Sequence, residues 1–275
     1  MNILYLDLFA GISGDMTLGG FIDLGVKEEV LLEGFKKLNI DGYDVKISKK
    51  NKNGIMGTKV DIILEDEHHH DHEHHHHEQD HEDHHHDHDH EHDHEHHHHH
   101  HTHDRNLFII EKLIDDSELD LKVKELSKKI FKYVALAESK IHGKSLEEIH
   151  FHEVGAVDSI LDIVGTAICL NELEIDRVIS SPLHTGTGFV HCQHGLIPVP
   201  VPATLEILKE ENIPFYSTGI KKELVTPTGA AIVAGIVDEF GPMPNMEAKA
   251  VGYGAGTRDL EIPNMMRMIL GVKKK

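Results

Sequence analysis

The sequence predicts an α/β or α+β fold in which mixed sheets with flanking helices are interrupted by a long disordered insertion rich in histidine and acid. Segments with strand character alternate with helical periodicity on both sides of the insertion. Residues 65–104 contain no apolar residue and cannot offset the entropy of ordering. We therefore expect an N-terminal α/β lobe over 1–64, the insertion over 65–104, and a helical segment with an α/β lobe over 105–275.

The N-terminal lobe is expected to contain two helices and three strands. The turn Asn51-Lys52-Asn53-Gly54 lies between the second and third strands and favours a hairpin. In chain order, the predicted elements are a strand over 3–9, helices over 16–24 and 27–38, and strands over 43–48 and 58–64.

Beyond the insertion, helical periodicity returns over 108–114, 119–142 and 157–173, and the last of these segments is apolar on most sides. Ser145 and Glu148 form a capping-box pattern that predicts a short helix. The C-terminal third alternates strands and helices over 177–181, 203–210, 214–217, 227–240, 248–253 and 265–272.

The insertion holds 23 of the 29 histidines, 15 Asp or Glu, and no Lys or Arg. Neutral imidazole suits nickel, zinc and copper, so metal handling is the predicted role; a purification tag or an inert spacer are the alternatives. The pattern does not identify the metal. The predicted ligands are His68, His69, His70, His72, His74, His75, His76, His77, His84, His85, His86, His88, His90, His92, His94 and His96.

Charge and composition exclude several classes of protein. The formal net charge is -21, and the insertion contributes most of it. The rest has no basic stripe and the chain has no Trp, which argues against nucleic-acid binding. Two cysteines do not make a disulfide framework, and we expect a cytoplasmic protein without signal peptide or membrane span.

The segment from His150 to Asp162 is the first candidate site. His150, His152 and Glu153 precede a helix on which Asp158 and Asp162 share one stripe. A carboxylate on an otherwise apolar helix must be paired or bound to a metal, so we predict these five residues to be catalytic. The alternative is a solvent-facing stripe or structural ion pairs with lysine.

A second cluster combines His184, His191, Cys192 and His194 within eleven residues. Imidazole and thiol ligands suit nickel or zinc, and we predict a metal site here. The spacing matches no zinc-finger pattern, and a glycine-rich loop with satisfied polar groups is the alternative.

Three glycine- or hydroxyl-rich turns are candidate phosphate sites. Backbone N–H groups after the first strand would use Gly11, Ser13 and Gly14, and a helix opening would use Thr226 and Thr228. Arg258 lies in a third, glycine-rich segment and could pair with a phosphate. An ordinary strand-to-helix turn, an N-cap and a flexible loop are the respective alternatives.

These segments together resemble the LarC family of nickel insertion proteins over nearly the whole chain. The resemblance implies insertion of Ni²⁺ into pyridinium-3,5-bisthiocarboxylic acid mononucleotide, with CTP as co-substrate, to form the nickel-pincer nucleotide of lactate racemase and related enzymes. The matching segments, besides the insertion, are DLFAGISGDM at 7–16, HFHEVGAVDSILDIVG at 150–165, TGTGFVHCQHGLIPVPVPAT at 185–204, LVTPTGAA at 224–231 and GYGAGTRDLEIPN at 252–264.

Family members continue into a C-terminal domain that is implied to bind CTP with Mn²⁺ or Mg²⁺. We therefore expect this chain to correspond to the N-terminal portion, either as a separately encoded half or as a truncated version, and to act as a nickel chelatase of the lyase class. A separate C-terminal partner and homo-oligomers both stay open. Two other classes stay open: a non-catalytic cytosolic nickel store or metallochaperone, and a zinc-dependent hydrolase using the same histidines.

Overall fold

The structure is a computed structural model that describes residues 1–65, 105–149, 151, 156–192 and 194–273. In chain order, these residues form β1 (Asn2–Asp7), α1 (Gly14–Leu24), α2 (Glu28–Lys36), β2 (Tyr43–Lys52), β3 (Ile55–Leu64), α3 (Leu107–Asp116), α4 (Leu121–His142), α5 (Val157–Glu172), β4 (Arg177–Ser180), β5 (Leu183–His184), β6 (Phe189–Cys192), β7 (Gly195–Pro198), α6 (Pro202–Glu210), β8 (Phe215–Tyr216), α7 (Pro227–Ile236), β9 (Glu239–Phe240), β10 (Met246–Ala255) and β11 (Met265–Lys273).

One mixed sheet organises the described chain, with strand order β2-β3-β10-β11-β1-β4-β9. Strand β1 pairs antiparallel with β11 and parallel with β4, and β10 pairs parallel with β3. Strands from both sides of the insertion therefore share one sheet. This mixture of pairings, with flanking helices, confirms the predicted fold class.

The helices cover one face of this sheet. Leu4 and Leu6 of β1 belong to the main apolar core, to which helices α1 to α7 all contribute buried side chains. Ile3 and Tyr5 point to the opposite face, because side chains alternate along a strand, and there they join Ile179 and Ile269 in a small cluster. Among the described helices, none is both long and apolar enough to cross a membrane.

The predicted hairpin is confirmed, and it is tighter than expected. Strands β2 and β3 pair up to Lys52 and Ile55, so Asn53 and Gly54 alone form the loop. Both have positive φ, 53° and 87°, as a two-residue hairpin turn with matching twist requires.

Two local predictions need correction. Residues 145–148 form a turn rather than a helix, although Ser145 N still donates to a Glu148 carboxylate oxygen at 3.2 Å. The capping contact thus forms without a helix behind it. The segment 227–240 is divided, because α7 ends at Ile236 and the chain then enters β9.

Candidate functional site

Helices α1, α5 and α7 all begin at one cavity of about 380 Å³. Each helix lines the cavity with residues of its first turn, and the N-terminal N–H groups of a helix favour negative charge. Strand β3 forms another part of the wall through residues 59–62. We call this space the acidic cavity, because its lining includes the four aspartates Asp15, Asp61, Asp158 and Asp162.

The β1–α1 turn is tied to the segment before α7. Ile12 N donates to Leu224 O at 2.9 Å, and Thr226 N donates to Ile12 O at 3.2 Å. Gly11 has φ 83°, and a Cβ at this position would lie 1.9 Å from Leu224 O. A larger residue at position 11 would therefore separate the two helix starts, which explains the glycine structurally.

Helices α1 and α5 pack closely beside the cavity because Gly14, the first residue of α1, has no side chain. A Cβ built on Gly14 would lie 2.1 Å from Asp162 Oδ2 and 2.4 Å from Asp162 Cβ. The close approach brings the first turn of α1 directly against the carboxyl group of Asp162.

Asp162 has a strongly perturbed carboxyl group in the cavity. The residue is half-buried, but its Oδ1 atom is buried and accepts no hydrogen bond from any described residue. Burial raises the pKa of Asp162 well above its usual value, and the negative charges of Asp15 and Asp158 raise it further, while Lys59 acts in the opposite direction. A carboxyl of this kind is a candidate proton acceptor or ligand.

Lys59 supplies the positive charge of the acidic cavity. Its ammonium group pairs with Asp15 and, at 3.0 Å, with Asp61 Oδ1. Burial lowers the pKa of Lys59, but the two carboxylates outweigh this effect and raise it overall. Ser13 Oγ donates to Asp15 as well, so the Asp15 carboxylate is held between a lysine and a hydroxyl.

The structure brings together six of the predicted site residues: Ser13, Gly14, Asp158, Asp162, Thr226 and Thr228 all line the acidic cavity. Thr226 also caps α7, since its Oγ1 accepts from Gly229 N at 3.0 Å. Gly11 lies in the supporting turn. Arg258 lines two neighbouring cavities and donates to Glu223 O at 2.9 Å.

Other predicted residues lie outside the described part of the chain. These are His150, His152 and Glu153 and every predicted ligand of the insertion. Their roles stay predictions.

The predicted His/Cys metal cluster is divided in the fold. His191, Cys192 and His194 lie on or beside the β6–β7 hairpin. His184 is buried elsewhere: its Nδ1 lies 2.8 Å from Phe9 O, and its Nε2 accepts from Thr218 N at 3.1 Å. Both ring nitrogens of His184 are thus engaged by the protein, and the ring stacks on Tyr216.

Within the described ranges, no three His, Cys, Asp or Glu side chains stand together as a ready-made metal site. A metal role for the hairpin residues stays a prediction.

Sequence reasoning missed several residues that line the acidic cavity. Lys59 and Asp61 stand on β3, Glu223 precedes α7, and Thr257 follows β10. The signal for Lys59 and Asp61 was their alternation with Val60 and Ile62 in a strand. Nothing local to Glu223 or Thr257 indicated that they would meet this site.

The family model and the curated relatives that match this chain carry the same family description. The family model described as nickel insertion protein matches residues 4–275. Three curated relatives are named pyridinium-3,5-bisthiocarboxylic acid mononucleotide nickel insertion protein: those of Acetivibrio thermocellus, 49% identical over 277 residues, Clostridium kluyveri, 50% over 276, and Clostridium acetobutylicum, 54% over 272.

These alignments cover 100%, 100% and 98% of this chain, respectively. The chain in turn spans 61%, 63% and 64% of the relatives' length. No solved structure matches the chain.

Proposed function

This chain belongs to the family of nickel insertion proteins, and on that premise we propose that it inserts nickel into pyridinium-3,5-bisthiocarboxylic acid mononucleotide to form the nickel-pincer nucleotide. Nickel is the substrate ion, and the acidic cavity is the proposed reaction site. In the reaction, a bond forms between nickel and a pyridinium ring carbon while that carbon loses its proton.

The observation that carries this proposal is the buried Oδ1 of Asp162, which accepts no hydrogen bond from any described residue, inside a cavity at which three helices begin. Burial there raises the pKa of Asp162. A carboxylate with a raised pKa accepts a proton more readily than an ordinary aspartate. Asp162 is therefore the proposed base for the ring C–H proton, and the carboxylates of Asp15 and Asp158 favour its protonated form.

The helix starts in the acidic cavity suit the anionic groups of such a substrate. A mononucleotide carries a phosphate, and its thiocarboxylates are also negative. The starts of α1 and α7 face the cavity, and the N-terminal end of a helix favours a bound anion. We assign the phosphate to the turn with Ser13 and Gly14 or to the one with Thr226 and Thr228.

Nickel would be supplied by the histidine-rich insertion. Strand β3 lines the acidic cavity through residues 59–62 and ends at Leu64, next to the start of the insertion. A reservoir tethered this close raises the local nickel concentration at the site. We also propose catalytic roles for His150, His152 and Glu153, which precede α5 in the sequence.

From the family resemblance we propose that insertion uses CTP with Mn²⁺ or Mg²⁺, bound by a C-terminal LarC partner, and that the reaction belongs to the lyase class. From the cysteine usage we propose that it takes place in the cytoplasm. The two cysteines are free thiols, which is consistent with a reducing compartment.

A single-turnover insertion assay tests the proposal. The full chain is mixed with Ni²⁺, the thiocarboxylated nucleotide and CTP, with and without a C-terminal partner, and the nickel-pincer product is quantified. Asp162→Asn should reduce the rate by roughly 100-fold or more, as expected for loss of a general base. Asp115→Asn is the matched control, since Asp115 pairs with Lys128 outside the cavity, and it should react normally.

The outcomes separate the candidate functions. A normal rate in a folded Asp162→Asn protein would remove this residue from the reaction. Nickel binding by the wild-type chain without product under any of these conditions would favour a nickel store or metallochaperone. A single tight metal with hydrolytic activity would favour the zinc-dependent hydrolase instead.

A further inference from the structure

A second cavity of about 360 Å³ adjoins the acidic cavity, and the two share Glu223 and Pro227 in their walls. Two elements far apart in sequence carry metal-binding side chains into it. Helix α4 contributes Glu138 and His142, and the β6–β7 hairpin contributes Cys192 and His194. This cavity therefore combines a carboxylate, two imidazoles and a thiol.

The four side chains are arranged as two close pairs. Glu138 Oε2 lies 3.1 Å from His142 Nε2, and Cys192 Sγ lies 3.9 Å from His194 Nδ1. The pairs touch, because the rings of His142 and His194 have centroids 5.1 Å apart at an angle of 34°. The contact between His142 and His194 therefore brings the pair from α4 next to the pair from the β6–β7 hairpin.

These distances are near those that a shared metal ion imposes. An ion bound at about 2.3 Å by a thiolate and about 2.1 Å by an imidazole holds sulfur and nitrogen roughly 3–3.6 Å apart. Cys192 Sγ and His194 Nδ1 need to approach by only a few tenths of an ångström. The separation of Glu138 and His142 already falls in the range for an oxygen and a nitrogen on one ion.

Partly buried carboxylates around these side chains favour a bound cation. The side chains of Glu138 and His142 are 14% and 22% exposed, so the Glu138 charge is partly withdrawn from water. The backbone N–H of His194 donates to Cys192 Sγ at 3.4 Å, which holds the sulfur beside the imidazole of His194. Glu223, itself only 12% exposed, adds a carboxylate on the wall towards the acidic cavity, where it is paired with Arg258 at 3.8 Å.

We propose that Glu138, His142, Cys192 and His194 form a transfer site for divalent nickel, through which the ion passes on its way to the acidic cavity. No three-ligand group is assembled among the described residues before metal binds. A transfer site must release its ion, and having to close two pairs around the metal weakens binding. The transfer role rests on the proposed function, but nickel binding at this site does not.

Cysteine makes the site observable in the full chain. Nickel bound by a thiolate gives a sulfur-to-nickel charge-transfer absorption that imidazole and carboxylate ligands do not give. The histidine-rich insertion has no cysteine, so nickel bound there is silent in this measurement. Cys169 is buried in the core, and Cys169→Ala is the matched control for the second thiol.

The experiment is a titration of the full chain with Ni²⁺ that follows this absorption band, with folding of each variant checked by circular dichroism. The wild type and Cys169→Ala should show the band, and Cys192→Ser should lose it. His142→Ala and the more conservative His142→Gln should weaken nickel affinity at the band by roughly 10-fold or more. Glu138→Gln should weaken it as well.

The proposal is overturned if the wild type shows no band, if the band survives Cys192→Ser, or if His142→Gln and Glu138→Gln both keep the wild-type midpoint. Because the readout is binding, its failure is distinct from failure of insertion. A chain that shows the band but makes no product keeps the site and loses only the proposed reaction.

Discussion

Asp162 holds its carboxyl group where ionisation is unfavourable, and this has a measurable consequence for stability. An unfolded aspartate has a pKa of about 3.9, and burial raises the pKa of Asp162 above that value in the folded chain. Between the two pKa values the folded chain binds more protons than the unfolded chain, so stability falls as pH rises. Above both values, each tenfold difference between the folded and unfolded acid dissociation constants costs about 1.4 kcal/mol of stability.

We therefore predict that Asp162→Asn unfolds at an equal or higher temperature than the wild type at pH 7–8, and that the difference narrows as pH falls towards 4. Melting temperatures across this range measure the effect. A structural ion pair predicts the opposite, because its loss destabilises by roughly 3–5 kcal/mol. A clear drop in melting temperature at pH 8 would contradict the assignment of Asp162 as a functional carboxyl.

Gly14 tests the contact between α1 and α5. A Cβ there would meet Asp162 Cβ at 2.4 Å, and that atom cannot swing away by rotation of a side chain. The two helices must therefore separate, and we predict that Gly14→Ala lowers the free energy of unfolding by about 1–3 kcal/mol. Chemical denaturation measures the change.

Gly241→Ala is the control for this substitution, because nothing lies within 4 Å of a Cβ at position 241. It should change the free energy of unfolding by less than about 0.5 kcal/mol. Equal effects of the two substitutions would mean that the contact between α1 and α5 at Gly14 accommodates a methyl group.

The start of a helix can stabilise the fold through its cap and can also bind a ligand. The caps of α7 and α3 distinguish these two roles. Thr226 Oγ1 accepts from Gly229 N at 3.0 Å, and Asn106 Oδ1 accepts from Ile109 N at the same distance. Either cap replaced by Ala should cost about 0.5–2 kcal/mol of stability. Thr226 lines the acidic cavity, so Thr226→Ala alone should also weaken nucleotide binding.

Calorimetric titration of the nucleotide into both variants, with Thr226→Ser as the conservative substitution, checks this prediction. The serine keeps the hydroxyl and should retain both stability and affinity. Equal nucleotide affinity in Thr226→Ala and Asn106→Ala would remove the start of α7 from the binding site.

Local patterns explain why some elements were predictable. The Asn-Gly pair strongly favours a two-residue loop between two strands, and the apolar stretch of α5 indicates a buried helix whatever its neighbours are. The β6–β7 hairpin had no such signal. Phe189 and Leu196 are exposed, so the apolar and polar residues of this hairpin do not follow its inner and outer faces.

The acidic cavity depends on the order of strands in the whole sheet, which explains why only part of it followed from the sequence. Asp158 and Asp162 were predicted because one helix sets their spacing. Lys59 reaches Asp15 across 44 residues of sequence, and this pairing exists only because α1 packs against β3 and β10. Contacts between sheet neighbours that are distant in sequence leave no local pattern to detect.

The insertion is expected to bind most of the nickel that the whole molecule takes up. Its density of imidazole and carboxylate groups predicts several weakly bound ions. Calorimetric titration should show fewer bound Ni²⁺ after residues 66–104 are replaced by a Gly-Ser linker of equal length. Affinity in the native chain should fall between about pH 7 and pH 5, because histidine must be neutral to coordinate. An unchanged stoichiometry in the linker variant would exclude the insertion as the reservoir.

The same linker variant separates supply of nickel from its insertion. A reservoir raises the local concentration of an ion but makes no contact with the reacting atoms, so its loss should lower the rate only when nickel is scarce. We predict wild-type product yield from the linker variant at saturating Ni²⁺ and a reduced rate at limiting Ni²⁺, measured in the single-turnover assay. Asp162→Asn should instead react slowly at both limiting and saturating Ni²⁺, because added nickel does not replace the missing base. If the folded linker variant makes no product at saturating nickel, the insertion takes part in the reaction itself and the acidic cavity is not sufficient for it.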